Sequence, residues 1–251
     1  MVLYPFSLFK ENKFMNTSIV ASGIKQDIGT RVVLWDEPGG LNSYPAKRFN
    51  AHNDDLEKLR KRIQGFVIHH SASWTAKTTF SGAAARGFSV NFIIDDDLPE
   101  SGVATIYQCL DIKDAGWSQG SWNDLGSGVE IALQPARWID PNYYSEANQK
   151  KYGVTPHAPM VDTVHGRKFD CFGPTEAQYK ALMFLINGYC KIFPDVPREF
   201  PREADYSFSK NVLTKPTEYR GLVNHYHIDT QKIDCLALDM ARVEKDVFYP
   251  F

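Results

Sequence analysis

The sequence predicts an α/β fold, and three segments carry that prediction. Gly65 to His70 (Gly-Phe-Val-Ile-His-His) is continuously apolar up to its two histidines, as a strand buried on both faces is. Ser89 to Ile94 (Ser-Val-Asn-Phe-Ile-Ile) reads as a second strand, closed by the acidic turn Asp95-Asp96-Asp97. Thr175 to Phe193 reads as a helix: Thr175 caps it and Gln178 follows three residues on, as in a capping box. Tyr179, Leu182, Met183, Leu185 and Ile186 then form its apolar face.

The remaining elements follow in chain order. Residues 1–60 read as an N-terminal extension packed on a core, with a β-branched run at Arg31 to Leu34, a turn-rich stretch from Trp35 to Asn42 and a polar helical segment from His52 to Arg62. Residues 61–251 read as one catalytic domain. Ala76 to Arg86 is Ala-rich and partly helical, Val103 to Cys109 and Gly128 to Leu133 supply further strands, and Leu236 to Val247 makes a short final helix. Two stretches read as long loops: Pro141 to Phe172, with Tyr143, Tyr144, Tyr152, His157 and His165, and Pro194 to Arg220. Loops of that size are functional or disordered.

A chain of 251 residues can bury one substantial core. Its 43% hydrophobic and 23% charged residues are ordinary for a globular protein, and a formal net charge of −2 offers no bulk attraction to nucleic acid. No apolar run approaches the roughly 20 residues needed to cross a bilayer. Met1 to Lys10 lacks a basic start followed by an apolar stretch, so no signal peptide is expected and synthesis in the cytoplasm is. Cys109, Cys171, Cys190 and Cys235 form no paired framework, which fits a reducing compartment. The expectation is a monomer with neither nucleic-acid nor membrane partners.

Chemistry gathers around the histidines. His69 and His70 end the first strand, and far downstream stands His225-Tyr226-His227-Ile228-Asp229-Thr230-Gln231-Lys232-Ile233-Asp234-Cys235. A lone histidine on an apolar strand is more often a packed core residue than a ligand. One ligand at the end of a buried strand with two more on a late loop, however, gives zinc three protein ligands and leaves a position for water, which points to hydrolysis. Spacing alone leaves the downstream pair open: His225 and Asp234 are nine positions apart, His227 and Cys235 eight. Glu130 stands in an otherwise apolar strand, where an unpaired carboxylate is costly to bury. Apolar surroundings would raise its pKa toward the range useful for proton transfer. Lys232 precedes Asp234 by two, so on an extended segment both side chains point the same way.

Five ordered blocks resemble the zinc-dependent N-acetylmuramoyl-L-alanine amidases of type 2, a family that includes phage amidases and peptidoglycan recognition proteins. They are Phe66 to Ala72, Asn123 to Leu133, Pro174 to Leu182, Gly221 to His225 and Lys232 to Arg242, and the resemblance runs from about residue 61 to 247. It implies a mixed sheet of five or six strands flanked by helices, with zinc at the floor of a surface groove. It implies His69, His225 and Asp234 as ligands, with Lys232 two before the aspartate as the family pattern has it. Glu130 would be the acid/base, and Lys232 would steady the oxyanion. The implied substrate is peptidoglycan or muropeptides, cut between N-acetylmuramic acid and L-alanine. His70, pointing to the other face of the strand, would be structural or support the ligands.

Some positions depart from the family. Asp114 replaces a common groove histidine, Cys235-Leu236 replaces a Pro-Gly pair after the aspartate, and Val90 stands where some members have a tyrosine. Residues 141–172 read as an insertion able to wall one side of the groove, with tyrosines suited to sugar stacking or to packing. A non-catalytic peptidoglycan-binding module is the competing expectation, and it is disfavoured because the ligand set is complete. A phage lysin, a recycling enzyme and a delivered toxin all fit the same sequence.

Overall fold

The computed structural model describes residues 16–44 and 55–248; the expected start of a helix at His52 lies outside them. A hairpin of β1 (Ser18–Ala21) and β2 (Ile24–Asp27) leads to β3 (Val32–Leu34) and α1 (Leu56–Arg62). Then come β4 (Gly65–His70), α2 (Ala76–Ala85), β5 (Phe92–Ile94), β6 (Ile106–Gln108), β7 (Gly126–Ile131) and α3 (Glu146–Tyr152). A second hairpin, β8 (Pro159–Val164) and β9 (Arg167–Phe172), precedes α4 (Glu176–Ile192), β10 (Gly221–Asn224) and α5 (Met240–Phe248). The central sheet has six strands in the order β10-β4-β7-β5-β6-β3. It is mixed: β10, β4, β7 and β5 run parallel, β6 is antiparallel to β5, and β3 is parallel to β6. The expected α/β architecture of a mixed sheet flanked by helices is what the chain adopts.

Alternation sorts the two faces of the sheet. Phe66 and Ile68 of β4, Phe92 and Ile94 of β5 and Val129 and Ile131 of β7 join Leu182, Leu185, Ile186 and Tyr189 of α4 in the main core. Each such side chain contributes about 1.5–3 kcal/mol by leaving water. The helix starts as its sequence dictates, with Thr175 and Gln178 forming the capping box. Val67 turns the other way, into a cluster with Trp122, Val223 and Ile228. His69 and Glu130 share that second face by alternation.

The described residues among the first sixty, 16–44 and 55–60, contribute to this core. β3 is the edge strand of the sheet, and Ile19, Val20, Ile28, Val32 and Leu34 all belong to the main apolar cluster. The N-terminal hairpin lies against α4 at Gly188, where an added Cβ would stand 2.0 Å from Ile28 Cγ2. Alanine in a helix interior ordinarily gains about 1 kcal/mol over glycine. Here overpacking against Ile28 wins, and Gly188→Ala should destabilise the protein by about 1–3 kcal/mol, read as a lower urea midpoint at unchanged slope.

Residues 141–172 differ from the expected long loop, since they carry α3 and the β8–β9 hairpin. Val164 pairs Arg167 across a two-residue turn, and His165 and Gly166 both take positive φ, +50° and +71°. That geometry matches the right-handed twist of the flanking strands. The tyrosines of this region pack on one another's neighbours: Tyr152 stacks on Trp74 at 4.8 Å, with Tyr143 and Tyr144 edge-on to the same ring. His157 is buried against Asp96 at 3.0 Å. Residues 194–220 match the expected irregular stretch, with only the 3-10 turn Pro216–Glu218 and a bridge between Arg202 and Phe208. Among the described residues no helix is long and apolar enough to cross a membrane.

Candidate active site

The site grows out of strand register. Asn224 of β10 lies opposite Ile68, and His69 lies opposite Glu130, so His225, His69 and Glu130 follow one another across β10, β4 and β7. All three sit at the carboxyl ends of parallel strands, where open α/β sheets place their ligands. Asp234 arrives from the late loop, its backbone carbonyl accepting from the Tyr226 N–H at 2.9 Å.

His69 Nδ1, His225 Nδ1 and Asp234 Oδ2 form a near-equilateral triangle with edges of 3.0, 2.9 and 3.0 Å. His69 and His225 are 2% and 5% exposed, and the Asp234 side chain 16%. No placement of protons satisfies all three edges. With a proton on each Nδ1 the two N–H groups confront each other; with a proton on one, the other nitrogen's lone pair faces the carboxylate. A cation answers all three lone pairs together. Two imidazoles and a carboxylate are a zinc donor set, and ligand atoms about 2.0–2.2 Å from a tetrahedral ion stand about 3.3–3.6 Å apart, a spacing the observed edges approach. The residues therefore fit a metal ion. Among the described residues this is the only group of three or more such side chains close enough to hold one.

The charge states agree. Burial, helped by the neighbouring His225, lowers His69 to about 4, which keeps its ring neutral. Against the upward push of burial, hydrogen bonds from His225 and His69 hold the Asp234 carboxyl well below its usual range. Neutral imidazole and ionised carboxylate are the states that ligate a cation. Glu130 is half-buried on the same cavity wall, and burial, with the charge of Asp234 adding to it, pushes its carboxyl up to about 8. Arg86 and Lys232 pull in the opposite direction. Lys232 is exposed at the lip, and the His165 ring N–H donates to its carbonyl at 3.1 Å, fixing the segment from the tip of the β8–β9 hairpin.

The rival residues do not join the triangle. His227 Nδ1 accepts from the Asn224 N–H at 3.0 Å and its Nε2 donates to the Ser209 carbonyl at 2.9 Å, so both nitrogens are engaged. Cys235 is fully buried in the main apolar cluster, and burial raises its thiol well above the usual range. His70 lines the cavity at 9% exposure, and neither ring nitrogen has a hydrogen-bond partner among the described residues. Asp114 is buried and accepts from the Tyr44 hydroxyl, while Trp117 reaches the groove instead. Val90 is core.

Two adjoining cavities run through the site. One, of about 390 Å³, holds His69, Glu130, Asp234 and Arg86, with Trp138 and Ile139 on its wall. The other, of about 400 Å³, adds Trp117, Gly120, Asn123 and Asp229, and the two share Phe88, Ser118, His225 and Lys232. Sequence reasoning missed Arg86, Phe88, Trp138 and Ile139. The only signal for the last pair was an apolar Trp-Ile in a Pro- and Asp-rich turn region. The tyrosines of residues 141–172 are not among the cavity-lining residues.

At the strand ends of an α/β sheet, two histidines and a glutamate with a raised carboxyl meet an aspartate from the late loop, a donor set that fits a metal ion. The sequence profile of the N-acetylmuramoyl-L-alanine amidase family matches residues 59–235, well over half the chain, and the chain belongs to this family. Comparison with curated proteins gives no match. Among solved structures the chain is similar to AmpDH3 from Pseudomonas aeruginosa in complex with anhydromuramic pentapeptide: 14% identity over 73% of this chain and 59% of that one, TM-score 0.44. It is similar to the N-acetylmuramyl-L-alanine amidase AmiD from E. coli at 15% identity over 72% of this chain and 55% of that one, TM-score 0.38. The Ph2119 endolysin of a Thermus scotoductus bacteriophage is similar at 11% identity over 86% of this chain and 99% of that one, TM-score 0.44. The chain thus spans less than two-thirds of the length of the first two.

Proposed function

We propose that this chain is a zinc-dependent N-acetylmuramoyl-L-alanine amidase, hydrolysing the amide between the lactyl group of N-acetylmuramic acid and L-alanine in peptidoglycan or muropeptides. The observation that carries the reading is the triangle of His69, His225 and Asp234 one strand away from the raised carboxyl of Glu130, in a chain of that family. Those three side chains would hold the ion. When bound, zinc supplies Lewis acidity, polarising the carbonyl and lowering the pKa of water to about 7.

The other steps belong to the protein. Glu130 takes a proton from the attacking water as the new C–O bond forms, and later gives it to the amine nitrogen as the C–N bond breaks. Its environment serves both duties: burial favours the protonated form that donates, and a cation bound beside it favours the ionised form that accepts. Lys232, without an ion-pair partner among the described residues, directs its ammonium toward developing negative charge on the carbonyl oxygen. The products are the free lactyl carboxylate on the sugar and a stem peptide with a free amino terminus.

Digestion of purified peptidoglycan, read by mass spectrometry, tests this. Release of intact stem peptides beginning at L-alanine is expected, abolished by a chelator and restored by zinc. Products cut within the stem peptide or within the glycan, or activity indifferent to chelation, would overturn it.

A further inference from the structure

We propose that Pro135 to Ile139 forms a saccharide-binding wall of the groove, with Trp138 as a specificity-determining residue that stacks on the sugar ring bearing the scissile amide. This rests on the amidase reading and adds which part of the substrate meets which wall. Trp138 and Ile139 are 42% and 68% exposed, yet both line the cavity that contains Glu130, His69 and Asp234. Exposed apolar side chains scattered singly need no explanation, whereas these two are adjacent and stand beside the reactive groups.

The wall is held in place before any substrate arrives. The Trp138 N–H donates to the Asp170 carbonyl at 2.9 Å, and the Phe172 N–H donates to the Pro135 carbonyl at 2.9 Å, so the segment runs along β9 as an added rung. Arg137 pairs with the Asp170 carboxylate at 2.6 Å. The indole packs on Phe169 at 5.2 Å, which fixes the ring while leaving part of it open. Such pre-organisation spares ordering entropy on binding.

Chemistry decides which arm of the substrate fits. A pyranose offers a flat face of C–H groups, which suits an indole face flanked by an isoleucine. A stem peptide beginning at alanine offers methyls, amides and charges. Those match the second cavity, where Asn123 and Asp229 add amide and carboxylate groups beside Trp117, beyond the shared Phe88, Ser118, His225 and Lys232. The sugar therefore lies on the Trp138 side and the peptide on the other.

Binding to the slowed Glu130→Gln variant separates recognition from turnover. Two probes are compared by calorimetry: N-acetylmuramoyl-L-alanyl-D-isoglutamine, and D-lactoyl-L-alanyl-D-isoglutamine, which keeps the amide and lacks the sugar. Adding Trp138→Ala should weaken the first about tenfold and cut the ratio of the two affinities by a similar factor, and Trp138→Phe should recover most of the loss. Equal weakening of both probes, or of neither, with an unchanged thermal midpoint, overturns the proposal. A lowered midpoint shifts the test to Trp138→Phe and Ile139→Ser, whose ratio of affinities must then fall. Should the wild type release no peptide from either probe, the amidase reading fails, while sugar-dependent binding still decides the wall.

Discussion

Glu130→Gln should lower kcat for amide hydrolysis by about 10²–10⁴ while zinc content stays at the wild-type level, because a general acid/base is typically worth that much. Glutamine keeps the shape and fills the same place opposite His69 on β7, but it neither takes nor gives a proton at neutral pH. A second readout separates this role from packing. In the metal-free protein burial holds the carboxyl at about 8, above its ordinary 4.5. For a group raised on folding, the associated stability is fully present below the unfolded value and is lost as pH rises through the folded one. Metal-free wild type should therefore lose stability between about pH 4.5 and 8, and Glu130→Gln should remove that part of the decline. Activity of the variant within about threefold of wild type, or an unaltered pH profile of stability, would exclude Glu130 from proton transfer.

Parts of this site were legible in the sequence because they follow local rules. A glutamate between Val129 and Ile131 is conspicuous in an apolar strand, and alternation alone puts it on the face opposite α4. The capping box of Thr175 and Gln178 is equally local. The β8–β9 hairpin escaped notice because β8 is mostly exposed from Pro159 to Thr163 and shows no apolar alternation; only the His165-Gly166 pair signalled the turn. Trp138 reaches the groove through pairing with β9, a tertiary contact without periodic signature. The choice between His225 and His227 likewise depends on the 3-10 turn they share, which sends one ring to the cavity and the other to Ser209.

Asp234→Ala should strip zinc from the protein and reduce activity at least about 10³-fold, whereas Cys235→Ala should largely spare both. The two residues are adjacent, so the contrast tests which side chain the fold aims at the triangle. Asp234 supplies its only anionic donor, and its removal leaves two imidazoles facing each other at 3.0 Å with no carboxylate to balance a dication. Cys235 is fully buried among Tyr179, Leu238 and other core side chains, and burial keeps its thiol protonated at neutral pH, whereas metal binding needs the thiolate. Truncating it leaves a small cavity, costing about 1 kcal/mol of stability without touching the metal. The metal-free proteins give an independent measure. Asp234 titrates below its ordinary value when folded, so it contributes stability above about pH 3.8 that is lost on acidification. Metal-free Asp234→Ala should accordingly be less stable than metal-free wild type at pH 7, with the gap closing as pH falls. Elemental analysis of both variants decides the assignment: zinc lost from Cys235→Ala and kept by Asp234→Ala would transfer the ligand role to the thiol and dissolve the triangle as a metal site.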